Sequence, residues 1–172
     1  MLGMEQSNDD LQAAITDHSV FVRVVGRGSF KVATPLKQFV AKVASQRPIS
    51  TVVIDLEECI GMDSTFMGVL AGLAGRLKKA DQTLELINLS DKNAHLLKTL
   101  GVDQVLSFYQ NGHGHPSATK ETEPVPTDPA SKKEMAETAL QAHEKLVQIS
   151  EENRPKFKRV IEFLKEDVDR LN

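Results

Sequence analysis

Cysteine, aromatic residues and long apolar runs are all scarce in this sequence. Its 172 residues contain one cysteine (Cys59), one tyrosine, seven phenylalanines and no tryptophan. A single cysteine excludes an internal disulfide and cannot supply a zinc cluster by itself. No apolar run approaches the roughly 20 residues that a membrane-spanning helix requires, so we expect no membrane insertion. The N-terminal residues lack the basic flank and apolar stretch of a secretory signal, which indicates a cytoplasmic protein.

An excess of charge of one sign is also missing. The formal net charge is −3 at pH 7. This balance gives no general attraction to nucleic acid, so we expect no nucleic-acid partner. Hydrophobic residues nevertheless make up 40% of the chain, which is ordinary for a globular protein and sufficient for a core.

The composition shifts sharply between residues 110 and 130. This segment contains four of the seven prolines and almost no large apolar residue. Such a segment buries too little surface to offset its ordering entropy, which predicts a flexible linker. We therefore divide the chain into a lead-in (1–17), a first module (18–109), the linker (110–130) and a C-terminal tail (131–172).

The first module alternates strand and helix patterns. Strands are predicted at 19–25, 51–56, 83–89 and 104–108, where β-branched and apolar residues cluster. Helices are predicted after Thr34-Pro35, near Asp63 or Ser64, and after Ser90, each starting at a capping residue. The third helix is expected to stop at Gly101. Short crossovers of this kind predict an α/β fold, a mixed β-sheet with helices packed on it.

The tail carries two amphipathic stripes separated by Pro155. The first comprises Met135, Ala139, Ala142, Leu146 and Ile149, and the second Phe157, Val160, Ile161, Leu164, Val168 and Leu171. These stripes predict a two-helix extension in which Pro155 either starts the second helix or kinks one long helix. The apolar faces must pack on each other, on the first module, on a second copy or on a partner.

The sequence contains few of the residue patterns that are typical of catalytic sites. The chain has no glycine-rich phosphate loop and no evident nucleophile–base pair, so we predict no catalytic residue and no cofactor site. His113 and His115 are interpreted as polar residues of the linker, because two histidines do not make a closed metal site. Cys59 is interpreted as a structural residue. We expect a protein without enzymatic activity.

The run Asp63-Ser64-Thr65 stands directly before a predicted helix. A hydroxyl or carboxylate at this place is an ordinary helix cap, worth about 1 kcal/mol. The same position would place Ser64 where backbone N–H groups and the helix dipole favour an anionic group. Capping and phosphorylation are compatible, so both interpretations of Ser64 stay open on the residues alone.

Three stretches together resemble the STAS domain, in particular that of bacterial anti-sigma factor antagonists. They are the apolar strand starting at Thr51, the run Gly61-Met-Asp-Ser-Thr and the run Gly68-Val-Leu. The later strand from Leu84 and the helix ending at Gly101 match the family's following elements. The resemblance covers roughly residues 18–109 and implies a STAS-like fold for the first module.

The resemblance implies a phosphorylation-switched regulator of transcription. Such domains bind an anti-sigma factor that is often a serine kinase, and a phosphatase reverses the modification. Ser64 is then the phosphorylated residue, and the implied partner-binding residues are Asp63, Ser64, Thr65, Phe66 and Met67. Unmodified protein would hold the anti-sigma factor, and a phosphate at Ser64 would release it through repulsion and desolvation.

Two features depart from the family pattern. Phe66 stands where the family commonly has glycine, and its ring either fills the core or sits on the docking surface. Residues 26–30 carry a base, Arg27, where an acidic residue is common. A second hypothesis is therefore a STAS scaffold or assembly subunit of a signalling or transport complex, in which Ser64 is only a cap. In that case the tail, 131–172, is the interaction element and a candidate for self-association.

Overall fold

A long central strand organises the sheet. The computed structural model describes residues 9–115, 122–125 and 130–172. The strands are β1 (Asp10–Ile15), β2 (Ser19–Gly28), β3 (Thr51–Asp55), β4 (Cys59–Met62), β5 (Thr83–Ile87), β6 (Ser107–Phe108) and β7 (Glu123–Pro124). Their order is β6-β5-β3-β2-β1-β7, and β4 pairs with the end of β2. The pairs from β2 through β6 are parallel, whereas β1 is antiparallel to both neighbours.

The described residues also form five α-helices. They are α1 (Phe30–Gln46), α2 (Ser64–Lys79), α3 (Asp91–Thr99), α4 (Lys132–Ile149) and α5 (Asn153–Leu171), and a 3-10 turn covers Val102–Gln104. One hydrophobic core joins a face of the sheet to residues from α1, α2, α3 and α4. The predicted mixed sheet with packed helices and a two-helix extension is confirmed.

Helix α1 begins earlier than the sequence predicts. The Thr34-Pro35 pair is typical of a helix start, but the helix starts at Phe30 and contains Pro35. The side chain of Ser29 caps the helix by accepting a hydrogen bond from the backbone N–H of Lys31. The carboxylate of Asp63, 33 residues further along the chain, also accepts a hydrogen bond from the backbone N–H of Phe30. No local sequence pattern predicts this contact.

The lead-in and part of the linker belong to the sheet. Strand β1 lies within residues 1–17 and pairs with β2 along its whole length, from Asp10↔Val25 to Ile15↔Val20. Its open edge is taken by β7, which the sequence assigns to the flexible linker. Val125 follows β7 and is buried. The lead-in therefore contains a strand of the sheet. The prediction of a flexible linker is wrong for residues 122–125, because hydrogen bonds at the sheet edge and the burial of Val125 order this segment despite its low hydrophobicity. Residues 116–121 and 126–129 of the linker lie outside the described residues.

The tail packs on the first module of the same chain. Helix α4 lies between α2 and α5, and Ala142 and Leu146 belong to the common core. The side-chain amide of Asn153, at the start of α5, donates to the carbonyls of Leu100 and Leu146, both at 2.8 Å. Pro155 lies in the first turn of α5, so it starts a new helix. Self-association through the tail stays a prediction.

Cys59 gives a direct test of core packing. Its side chain is 5% exposed, and its thiol donates a hydrogen bond to the carbonyl of Gly61. Burial raises the pKa of this thiol above its ordinary value, so less thiolate is present at a given pH than in an exposed cysteine. We expect a thiol reagent such as DTNB at pH 8 to label the native chain at least about tenfold more slowly than the chain in denaturant. Equal rates would mean that β4 is open in solution.

Candidate functional site

Two helix N-termini meet at one carboxylate. Asp63 caps α2, because its Oδ1 accepts a hydrogen bond from the backbone N–H of Phe66 at 2.9 Å. Its Oδ2 accepts from the backbone N–H of Phe30, the first residue of α1, at 2.8 Å. Strand β4 makes this possible by leading the chain to the end of β2, where the N–H of Asp63 donates to the carbonyl of Gly28. The negative charge lies at the positive ends of two helix dipoles.

The hydroxyl of Ser64 is hydrogen-bonded to the tail. Ser64 is the first residue of α2 and half-buried, and its Oγ lies 2.8 Å from Nε2 of His143 on α4. The other ring nitrogen, Nδ1, lies 2.7 Å from the carbonyl oxygen of Ala139. A carbonyl only accepts, so Nδ1 carries the proton and Nε2 of the neutral ring accepts from the Ser64 hydroxyl.

Helices α2 and α4 approach closely next to this hydrogen bond. A Cβ at Gly68 would lie 2.4 Å from the carbonyl oxygen of Ala142, so no other residue fits there without movement of α4. One turn further, a Cβ at Gly72 would meet no heavy atom of the described residues within 4 Å. His143 is 4% exposed, and its ring meets that of Phe157 edge-on at 5.1 Å between centroids. The contact between the helices is therefore tight near Ser64 and looser beyond it.

The predicted partner-binding residues divide into two groups. Asp63 and Ser64 are half-buried at the surface of the module. Thr65, Phe66 and Met67 are buried, with exposed fractions of 9%, 0% and 4%. In this conformation the side chains of Phe66 and Met67 lie in the core, so these two are not available to a partner. Phe66 therefore fills the core and does not sit on a docking surface.

The two departures noted in the sequence touch each other. A Cβ at Gly28 would lie 2.8 Å from Cδ1 of Phe66, so the absence of a side chain at residue 28 makes room for the ring. Phe66 thus packs against the segment 26–30 at Gly28, whereas Arg27 of that segment is exposed.

A groove opens beside Ser64, with a volume of about 590 Å³. We call it the α4–α5 groove; its wall includes Phe30, Thr65, Met135, His143, Val160 and Leu164. Phe30 is 48% exposed and Val160 is 40% exposed, so this surface next to the site is partly apolar.

The linker histidines pack elsewhere. The ring of His113 stacks on Tyr109 with 3.5 Å between centroids, and Nε2 of His115 lies 2.6 Å from a carboxylate oxygen of Glu85. Across residues 9–115, 122–125 and 130–172, no three histidine, cysteine, aspartate or glutamate side chains form a metal-binding group.

His143 was not predicted as a functional residue from the sequence. Its position beside Ala139 and Ala142 on the amphipathic stripe was the only local signal. The sequence left open which of four surfaces that stripe packs on. Ser64 and His143 are 79 residues apart, so their pairing follows from the docking of α4. Gly68 appeared within a motif, but its partner Ala142 lies far along the chain as well.

A mixed sheet whose short strand leads through Asp-Ser-Thr into a buried helix defines a STAS-like α/β module. The family model described as "Mlab, STAS domain" matches residues 11–107, more than half of the chain. The protein therefore belongs to the STAS domain family.

Solved structures of low sequence identity share this fold. The anti-sigma factor antagonist SpoIIAA in its unphosphorylated form has a TM-score of 0.52 at 18% identity, over 57% of this chain and 86% of that chain. A putative anti-sigma factor antagonist from Thermotoga maritima, TM1081, has a TM-score of 0.50 at 15% identity, over 60% and 88%. A comparison with curated proteins finds no match. Among the described helices, none is long and apolar enough to cross a membrane.

Proposed function

We propose that this protein is a non-enzymatic bacterial regulator of the anti-sigma factor antagonist type, acting in the cytoplasm. It binds an anti-sigma factor that is also a serine kinase, and phosphorylation of Ser64 weakens this complex. The observation that supports the proposal is the position of the Ser64 hydroxyl, half-buried at the N-terminus of α2. The fold likeness to SpoIIAA, whose structure is described as an unphosphorylated form, points in the same direction.

The chemistry of the switch is a phosphoryl transfer. The Ser64 oxygen forms a bond to the γ-phosphorus of ATP while the bond from that phosphorus to the β–γ bridging oxygen breaks. ADP leaves, and the hydroxyl proton passes to a base on the kinase. A phosphatase reverses the modification by transferring the phosphoryl group to water.

The added charge is large for this module. Residues 1–109 carry 11 Lys and Arg side chains against 12 Asp and Glu side chains. A phosphate adds about −1.5 to −2 at neutral pH. The N–H groups and the dipole at the N-terminus of α2 favour this charge. A partner docked over Ser64 would meet repulsion and an unfavourable desolvation, so the modification weakens binding.

Phosphorylation by the co-encoded serine kinase tests the proposal. Full-length protein incubated with the kinase and ATP is expected to gain one phosphate at Ser64, located by mass spectrometry. Ser64→Ala should remain unmodified, and Thr65→Ala, which changes the neighbouring buried hydroxyl, should be modified normally. In a binding assay, we expect Ser64→Asp to bind the kinase at least about tenfold more weakly than Ser64→Ala. No phosphate at Ser64, or equal binding of both variants, would refute the proposal.

A second candidate function is a scaffold or assembly subunit with the tail as its interaction element. The observation that favours it is the outer face of α5, where Phe163 is 61% exposed. Under this hypothesis Phe163→Lys changes the mass of the complex while Ser64→Asp leaves it unchanged. The switch hypothesis expects the reverse pattern, so the two variants separate the functions.

A further inference from the structure

We propose that α4 occupies the partner-docking surface in cis and thereby occludes Ser64. This inference rests on the proposed function, because it describes how access to the same serine is regulated. A partner reaches Ser64 only after the α4–α5 hairpin moves away from α2. The tail is then a competitor of the partner for one surface.

The first argument is the contact at the hydroxyl. Oγ of Ser64 donates to Nε2 of His143, and His143 is itself 4% exposed between α2 and Phe157. A kinase must bring the γ-phosphorus of ATP to this oxygen, and a phosphate on it needs room for three further oxygens. The side of Oγ that faces α4 has no such room while the hydrogen bond is in place.

The second argument is that α4 is held on the module mainly by apolar packing, through Ala142 and Leu146, and by few polar contacts. Its N-terminus is satisfied by its own residues, because Ser131 and Glu134 form a reciprocal capping box. Its polar anchors to α1 and α2 are few: Ser64 to His143, and Lys37 to Gln141. A gap of about 90 Å³ separates α4 from the part of α2 around Gly72, bordered also by Lys37, Thr138 and Lys145. The close contact at Gly68 thus borders a gap in the packing between α2 and α4.

Helix α4 also shows which partner this surface accepts. The residue opposite Gly68 is small, Ala142, and the residue opposite Ser64, His143, offers a hydrogen-bond acceptor. The face of α4 that packs on the module is otherwise apolar, with Ala142 and Leu146 in the common core. The partner element is therefore an amphipathic helix with a small residue at its closest approach and a polar group beside it.

A matched pair of glycine substitutions tests whether α4 controls access. Gly68→Ala and Gly72→Ala give α2 the same gain in helix propensity, but only the first puts a methyl group against the backbone of α4. In a Ser64→Cys background, the rate of labelling by DTNB reports exposure of residue 64 without any kinase. We expect Gly68→Ala to raise this rate at least about tenfold and Gly72→Ala to leave it within about twofold. Cys59 supplies the background rate, measured in the chain that retains Ser64.

Two further measurements keep the test decisive. If Gly68→Ala does not fold, as judged by circular dichroism, His143→Ala replaces it, and the same acceleration is expected. With the kinase present, Gly68→Ala in the Ser64 protein should be phosphorylated faster than Gly72→Ala. Equal labelling rates for the glycine variants would overturn the inference and leave phosphorylation of Ser64 standing. Faster labelling without any phosphate on Ser64 would support occlusion by α4 and refute the proposed function.

Discussion

Replacing Phe66 with alanine is expected to lower the free energy of unfolding by about 3–5 kcal/mol. The ring is fully buried and lies beneath the N-termini of α1 and α2, against Gly28 and near Met62. Removing the ring opens a cavity beneath these two helix N-termini, which carry the candidate site. Denaturant unfolding of the full chain measures the loss, and Phe66→Leu should cost clearly less because it keeps most of the apolar volume.

A double-mutant cycle with Gly28 identifies the origin of this loss. A methyl group at residue 28 would lie 2.8 Å from the Phe66 ring, so Gly28→Ala should destabilise the protein that retains Phe66. In the Phe66→Leu background the same substitution should cost less, giving a coupling of about 0.5–3 kcal/mol. Additive effects within about 0.5 kcal/mol would show that the two residues do not compete for space.

Replacing Asp63 with alanine is expected to cost about 2–3 kcal/mol, roughly twice an ordinary helix cap. One carboxylate accepts from the N–H groups of Phe66 and Phe30, so the substitution leaves these two N–H groups without their acceptor, whereas Ser29 still caps α1 through Lys31. Thermal or denaturant unfolding measures the loss. Asp63→Asn should fall between wild type and Asp63→Ala, because an amide has only one acceptor oxygen.

A single-helix cap serves as the matched control. Ser90 caps α3 alone, through the N–H of Asn93, so Ser90→Ala should cost about 1 kcal/mol. If Asp63→Ala costs no more than Ser90→Ala, the contact to Phe30 contributes nothing to stability and the double cap must be rejected. Because Asp63 adjoins Ser64, its substitution is also expected to change the position of the candidate phosphorylation site.

Local patterns predicted the elements that depend on local chemistry. Strands β2, β3 and β5 and the start of α2 lie where β-branched runs and a capping residue indicate them. Strand β4 was missed because four residues, Cys59–Met62, carry too little pattern to be separated from a turn. Helix α1 starts early because Ser29 caps it and because Asp63, 33 residues away, accepts from the N–H of Phe30. Ser29 is a local signal that the Thr34-Pro35 pair masked, whereas the contact with Asp63 lies outside any sequence window.

The candidate site was predictable in part for the same reason. Asp63 and Ser64 adjoin an amphipathic helix, so a cap and a hydroxyl at the start of that helix follow from the residues themselves. The contact of Ser64 with His143 depends on which of several surfaces the tail stripe covers. That choice depends on shape, above all on the missing side chain at Gly68 and the small one at Ala142. Amphipathic spacing does not encode it.

Strand β7 has a consequence for the thermodynamics of the tail. By pairing with β1 it fixes the chain at Val125, so residues 126–130 alone connect this point to the cap of α4 at Ser131. A short tether keeps a released helix near its site at an effective concentration in the millimolar range. Any ligand of that surface must compete with this local concentration, and its apparent Kd is the intrinsic Kd divided by the open fraction. Strand β7, residues 123 and 124, therefore sets the length of this tether. That length changes the apparent affinity of a ligand for the surface without changing any contact that the ligand makes.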